Sequence, residues 1–141
     1  MNRVYWDSML FIYLLEANPV FGPRVQHMHD SMLRRGDQLC TSIFTVAEVL
    51  TGPRKRNDSA GVSGLKRFFG GKEIEILPFT MDAADQYSII RPEQRVSLAD
   101  GIHLATAASA GVDLFVTNDE ELHKLVIRGI RFFADVDGKV F

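Results

Sequence analysis

Residues 97–111 read SLADGIHLATAASAG, and the rest of the chain is organised around them. Ser97 is placed to cap a helix, and Asp100 falls three residues on, where a capping box carries its acid. Leu98, Ile102, Ala105 and Ser109 recur at helical spacing. Ala107, Ala108 and Ala110 keep the helix thin enough to lie close against a sheet. Gly111 is a C-terminal stop. An apolar strand over 113–116 follows, then the polar turn Thr117-Asn118-Asp119. Two acids thus flank one helix–strand crossover, and the question is whether other turns supply more.

Working outward, Val4, Tyr5 and Trp6 form a strand that stops at Asp7. Asp7 or Ser8 then caps a helix over 8–17, apolar on most sides, that Asn18-Pro19 breaks. That apolar surface suggests a homodimer contact, shared with an amphipathic helix over 22–35. A second strand spans 39–42. Thr45 and Glu48 make a capping-box pattern for the next helix, which Gly52-Pro53 closes. Residues 54–72 are rich in Gly, Ser and basic side chains; they read as a mobile segment with one helix over 64–69. A strand over 73–77, a helix over 81–90 stopped before Pro92, a short helix over 119–126 and a last strand over 130–133 complete the chain.

Strands alternating with helices indicate parallel pairing with helices on both faces. Right-handed crossovers then bring every strand-to-helix turn to one edge of the sheet, where open α/β folds bind ligands. Asp7, Glu48, Asp100 and Asp119 all sit at or just past such turns. Carboxylates gathered at short range repel one another, and a divalent cation relieves this. All-oxygen ligation suits Mg2+ or Mn2+, whose chemistry here is phosphodiester hydrolysis by metal-activated water. Each acid also has a second reading. Asp7 is a good N-cap, Glu48 and Asp100 complete capping boxes, Asn118 and Glu121 form another around Asp119, and helix dipoles favour acids in first turns.

The bulk composition limits the alternatives. One domain over 1–141 suits a chain of 141 residues, with 46% hydrophobic and 24% charged residues. A single cysteine, Cys40, excludes an intrachain disulfide and fits a cytoplasmic setting. No signal peptide is evident, and the apolar run 9–15 is too short to span a membrane. The net charge of −2 gives no global attraction for nucleic acid. A local patch must serve, and Arg54, Lys55, Arg56, Lys66 and Arg67, with Lys72, offer one for RNA phosphates, or simply a solvated surface. His103 reads as packed within its helix rather than as a ligand. His27 and His29 diverge, and Cys40 reads as core. No Ser/His/Asp arrangement or phosphate loop stands out.

Four stretches together resemble the PIN-domain family, and within it the VapC toxins of prokaryotic type II toxin–antitoxin pairs. They are VYWDS (4–8), TVAEVLTG (45–52), SLADGIHLATA (97–107) and LFVTNDEEL (114–122). The resemblance implies a three-layer α/β/α fold with a five-stranded parallel sheet in order 3-2-1-4-5. It implies an Mg2+- or Mn2+-dependent endoribonuclease with Asp7, Glu48, Asp100 and Asp119 as its acidic cluster. Ser8, Thr117 and Asn118 are implied as supporting polar groups, and a cognate antitoxin as partner. A housekeeping RNA-processing nuclease without an antitoxin, and a non-catalytic α/β binding module, are the competing expectations.

Overall fold

The computed structural model describes residues 2–141. Its strands are β1 (Arg3–Trp6), β2 (Gln38–Ser42), β3 (Ile74–Leu77), β4 (Val112–Val116) and β5 (Ile130–Ala134). Its helices are α1 (Ser8–Leu15), α2 (Gly22–Arg35), α3 (Ile43–Lys55), α4 (Ser59–Phe69), α5 (Met81–Gln94) and α6 (Leu98–Ala110). The strands form one parallel sheet in order β3-β2-β1-β4-β5, as the resemblance implied.

Side chains of a strand point alternately to opposite faces, and β1, at the sheet's centre, shows this most plainly. Val4 and Trp6 pack with Leu10 and Phe11 of α1, Val25 of α2, Val49 of α3 and Phe69 of α4. Tyr5, between them, packs on the other face with Ile90 of α5 and with Leu104, Ala105 and Ala107 of α6. A strand covered on both faces has no polar side, which is why β1 and β4 read as apolar runs.

The stretch 97–111 folds as read. Ser97 Oγ accepts from the Asp100 N–H at 3.1 Å, and Gly111 closes α6 at φ +73°. Gly101 has a packing role: a Cβ there would lie 2.8 Å from Tyr87 Cε2, so its bare backbone lets α5 and α6 approach.

Five expectations need correction. Ser42, not Thr45, caps α3; its Oγ accepts from the Thr45 N–H at 3.0 Å. The helix also runs on through Gly52-Pro53 to Lys55, and α5 runs through Pro92 to Gln94. Each proline lies in the last turn, where it removes one donor but keeps its carbonyl. Pro53 O still accepts from the N–H groups of Arg56 and Asp58. Within 54–72, α4 begins at Ser59 rather than Gly64, capped by Asp58, whose Oδ1 accepts from Gly61 N–H at 2.9 Å. Val62 and Phe69 anchor it in the core. Finally, 119–126 holds only a 3-10 turn, Leu122–Lys124.

The first helix is less bare than its sequence suggested. Leu10 and Phe11 are buried within the chain, leaving Met9 and Leu15 as its exposed large apolar side chains. Among the described residues, no helix is long and apolar enough to cross a membrane.

Candidate active site

Parallel pairing brings the C-terminal ends of β1, β2 and β4 to one edge. Asp7 N–H donates to Val116 O at 3.2 Å, which ties the first strand-to-helix turn to the fourth strand. At this edge lies a cleft of about 380 Å³. Its walls include Asp7, Glu48, Asp100 and Asp119, contributed by four different turns and helices, together with Ser8, Thr117 and Asn118. Met9, Tyr13, Ala99 and His103 complete the lining.

Asp7 is the most constrained of the acids. It caps α1 through Oδ1, which accepts from Met9 N–H at 3.0 Å. The Thr117 hydroxyl donates to Oδ2. Burial pushes this carboxyl above its ordinary range, and the bonds from Thr117 and Met9 offset only part of that. Thr117 in turn accepts from Asp119 N–H at 3.1 Å, so one hydroxyl links two acids. Asp119 Oδ1 accepts from Glu121 N–H at 3.0 Å, a local turn in place of the expected capping box. Asn118 Nδ2 approaches the Tyr13 hydroxyl at 3.4 Å.

Glu48 does not complete a capping box. Its Oε1 lies 2.6 Å from His103 Nε2. Burial acts to raise the Glu48 carboxyl, but the His103 hydrogen bond and charge, with Ser8 beside it, outweigh this and hold it below the usual range. The other ring nitrogen, Nδ1, lies 2.6 Å from the Tyr5 hydroxyl. With both nitrogens engaged, His103 is a partner of an acid rather than a ligand. The sequence signal for it was its place three residues after Asp100, on the same side of α6.

Asp100 stands in the first turn of α6 and lines the cleft, while the cap bond there is made by Ser97. The cleft thus presents carboxylate, hydroxyl and amide oxygens and no thiol, a donor set that fits a hard divalent cation. The desolvated Asp7 carboxylate fits one too, since positive charge nearby would offset its cost. Among the described residues, however, no three His, Cys, Asp or Glu side chains stand at the spacing of a metal-ligand group.

The basic residues lie elsewhere. Arg54, Lys55, Arg56, Lys66 and Arg67 are all exposed, and none lines the cleft. Arg56 lines a neighbouring groove of about 370 Å³ between α1, α3 and α4, which meets the cleft at Glu48. Its apolar walls include Ile12, Leu15, Val49, Leu65 and Phe68. Cys40 is buried, its thiol pushed up to about 12 by desolvation, which leaves it inert.

Comparison with known proteins bears on the fold and the family. No curated protein matches the chain. Among solved structures it is similar to the DNA-bound VapBC of Salmonella typhimurium, at 22% identity over 96% of this chain and 99% of that one, with a TM-score of 0.75. It is similar also to VapBC2 of Rickettsia felis bound to a DNA fragment from their promoter, at 16% identity over 94% and 98%, with a TM-score of 0.73. A third is VapC20 of Mycobacterium tuberculosis, described as a sarcin-ricin loop cleaving toxin, at 15% identity over 87% and 96%, with a TM-score of 0.64. Identities this low speak for a shared fold. The model of the PIN domain matches residues 4–127, a span that includes all four cleft acids, and the chain therefore belongs to the PIN-domain family.

Proposed function

We propose that this protein is a divalent-metal-dependent endoribonuclease and the toxin of a type II toxin–antitoxin pair. The observation that carries the reading is the cleft itself, where Asp7, Glu48, Asp100 and Asp119 from four separate parts of the chain line one space. A bound Mg2+ or Mn2+ would supply Lewis-acid activation of water and neutralise charge at the scissile phosphate. The chain's part is to hold its oxygens ready. Thr117 and the Met9 N–H fix Asp7, Glu121 N–H fixes one oxygen of Asp119, and His103 fixes one oxygen of Glu48. Ser8 and Asn118 add polar edges to the same space.

The partner reading rests on the solved complexes of VapBC and on the groove beside the cleft. An apolar helix of a cognate antitoxin seated among Ile12, Val49, Leu65 and Phe68 would lie next to Glu48 and could block substrate entry. The exposed residues Arg54, Lys55, Arg56, Lys66 and Arg67 are the candidate contacts to RNA phosphates. Exposed Met9 and Leu15 are the candidate centre of a homodimer. Sedimentation showing only monomer at high micromolar concentration would remove that element. A setting in the cytoplasm is consistent with the lone, buried Cys40.

The test is cleavage of a structured RNA by purified protein with Mn2+, with Mg2+ and with EDTA, alongside Asp7→Asn and Asp100→Asn. Cleavage is expected only with metal and wild-type acids. Equal cleavage by the variants, or none by the wild type with either metal, would refute the reading. Coexpression with the product of an adjacent small gene should silence cleavage if the protein is a toxin.

A further inference from the structure

His103 is buried deeply, with its side chain about 5% exposed. Its neighbours would suit an apolar residue as well. The Tyr5 and Phe44 rings meet it edge-on, with centroids 6.0 and 5.4 Å away. A polar ring buried among aromatics must have its nitrogens satisfied, and burying it beside a carboxylate adds little net stability. Both nitrogens are nonetheless engaged at 2.6 Å, one by a cleft acid and the other by a phenol.

The phenol is anchored in its turn. Tyr5 is wholly buried, and the hydroxyls of Ser42, Thr45 and Thr41 lie near its oxygen. Desolvation raises its pKa and so favours the neutral O–H. Ser42 caps α3, the helix that carries Glu48. Hydrogen bonds therefore run from Tyr5 of β1, beside the cap of α3, through His103 of α6 to Glu48, six residues past Ser42. Held through this relay, one oxygen of the Glu48 carboxylate has a fixed partner.

We propose that His103 is the positioning residue for Glu48, donating Nε2–H to Oε1 so that Oε2 remains for the cleft, with the Tyr5 hydroxyl setting the angle of the imidazole. This rests on the nuclease reading only for the consequence that cation affinity depends on His103. The neutral Nε2–H tautomer and the imidazolium both provide the required proton, whereas the Nδ1–H tautomer does not. Ring partners of this kind orient metal-binding groups, and their loss weakens metal binding about 10- to 100-fold.

The test has two independent arms on the full-length protein. In the metal-free protein labelled with 15N-histidine, NMR should find a slowly exchanging proton on His103 Nε2, exchanging faster in Tyr5→Phe. An unprotonated Nε2 would overturn the proposal, whatever the protein does with metal. In the second arm, Mn2+ is titrated calorimetrically into wild type, His103→Gln and His103→Leu, each first shown to melt cooperatively. Gln keeps an amide donor for Glu48 and should bind within about threefold of wild type, while Leu should bind about 10- to 100-fold more weakly. Equal affinity in Gln and Leu variants would overturn the proposal, because a purely structural histidine would be missed equally in both. Should His103→Leu fail to fold, Tyr5→Phe and His103→Gln carry the comparison, and a Tyr5→Phe affinity equal to wild type would count against the phenol's role. Failure of the wild type to bind Mn2+ at millimolar concentration would defeat the nuclease reading and leave the NMR arm to decide the positioning of Glu48.

Discussion

Replacing Asp100 by Asn separates the two roles open to that acid. The structure assigns the cap of α6 to Ser97 Oγ, which accepts from the backbone N–H of residue 100 at 3.1 Å. The substitution leaves that bond, worth about 1 kcal/mol, in place. What remains of a helix role is the charge in the first turn, worth about 0.3–1 kcal/mol. Against this stands relief of repulsion from the other cleft acids. In EDTA the variant should therefore melt within about 3 °C of wild type, at about 3 °C per kcal/mol for a chain of this size. With Mn2+ at about 100 times its dissociation constant, the wild type should gain about 2.7 kcal/mol. A variant bound about 100-fold more weakly gains only about 0.4 kcal/mol at the same concentration. The two should then differ by roughly 7 °C more in Mn2+ than in EDTA, taking about 3 °C per kcal/mol. The assay is four thermal melts, two proteins in two buffers. A similar rise in both proteins, or none in the wild type up to millimolar Mn2+, would refute the reasoning and leave Asp100 as a helix-terminal charge.

The acid at position 7 predicts a pH dependence. Its carboxyl is raised above the ordinary 3.8, so the native state holds the proton more tightly than the unfolded chain. In EDTA, wild-type stability from this group should fall as pH rises from the unfolded value through the raised native one, then level off. Asp7→Asn keeps an oxygen for the Met9 N–H and lacks that fall, so urea midpoints should diverge in its favour across that window; parallel curves would contradict the assignment. Gly129→Ala should cost at least about 2 kcal/mol in urea denaturation, because φ there is +99° and a Cβ would lie 2.2 Å from Ala108 O; a neutral result would mean the turn can shift. Joint replacement of Arg54, Lys55 and Arg56 by Ala should weaken RNA binding across sequences and reduce the slope of log K against log salt by about 2; an unchanged slope would place the RNA elsewhere.

Much of the fold was legible because local signals agreed with one another. Val4, Tyr5 and Trp6 stop at a capping Asp7, and Gly111 ends α6 in the left-handed conformation. The boundaries moved at Gly52-Pro53, Gly64 and Pro92 share one cause. In sequence, proline and glycine read as breaks, yet near a helix's last turn Pro53 and Pro92 lose only a donor. In α4, burial of Val62 and Phe69 outweighs the weak helix preference of Ser and Gly. The turn at 119–126 failed in the opposite direction. The Asp119 side chain takes the Glu121 N–H for itself, and the chain tightens to three residues of 3-10 helix.

The acids of the cleft were legible because a parallel sheet sends its strand-to-helix turns to one edge, so topology alone brings distant residues together. Their partners were less so. His103 meets Glu48 across 55 residues of sequence and Tyr5 across 98, and no local pattern encodes either contact. The two readings of the acids also turn out not to exclude each other. Asp7 caps α1 with Oδ1 and takes the Thr117 hydroxyl on Oδ2. Capping fixes the side chain's rotamer at the helix start, and the helix start is at the sheet edge. A residue held there for the helix is thereby aimed at the cleft. Glu48 is the case that separates the roles. Ser42 relieves it of the cap, and its carboxylate goes to His103. An acid that only served its helix would have no reason to reach across to α6.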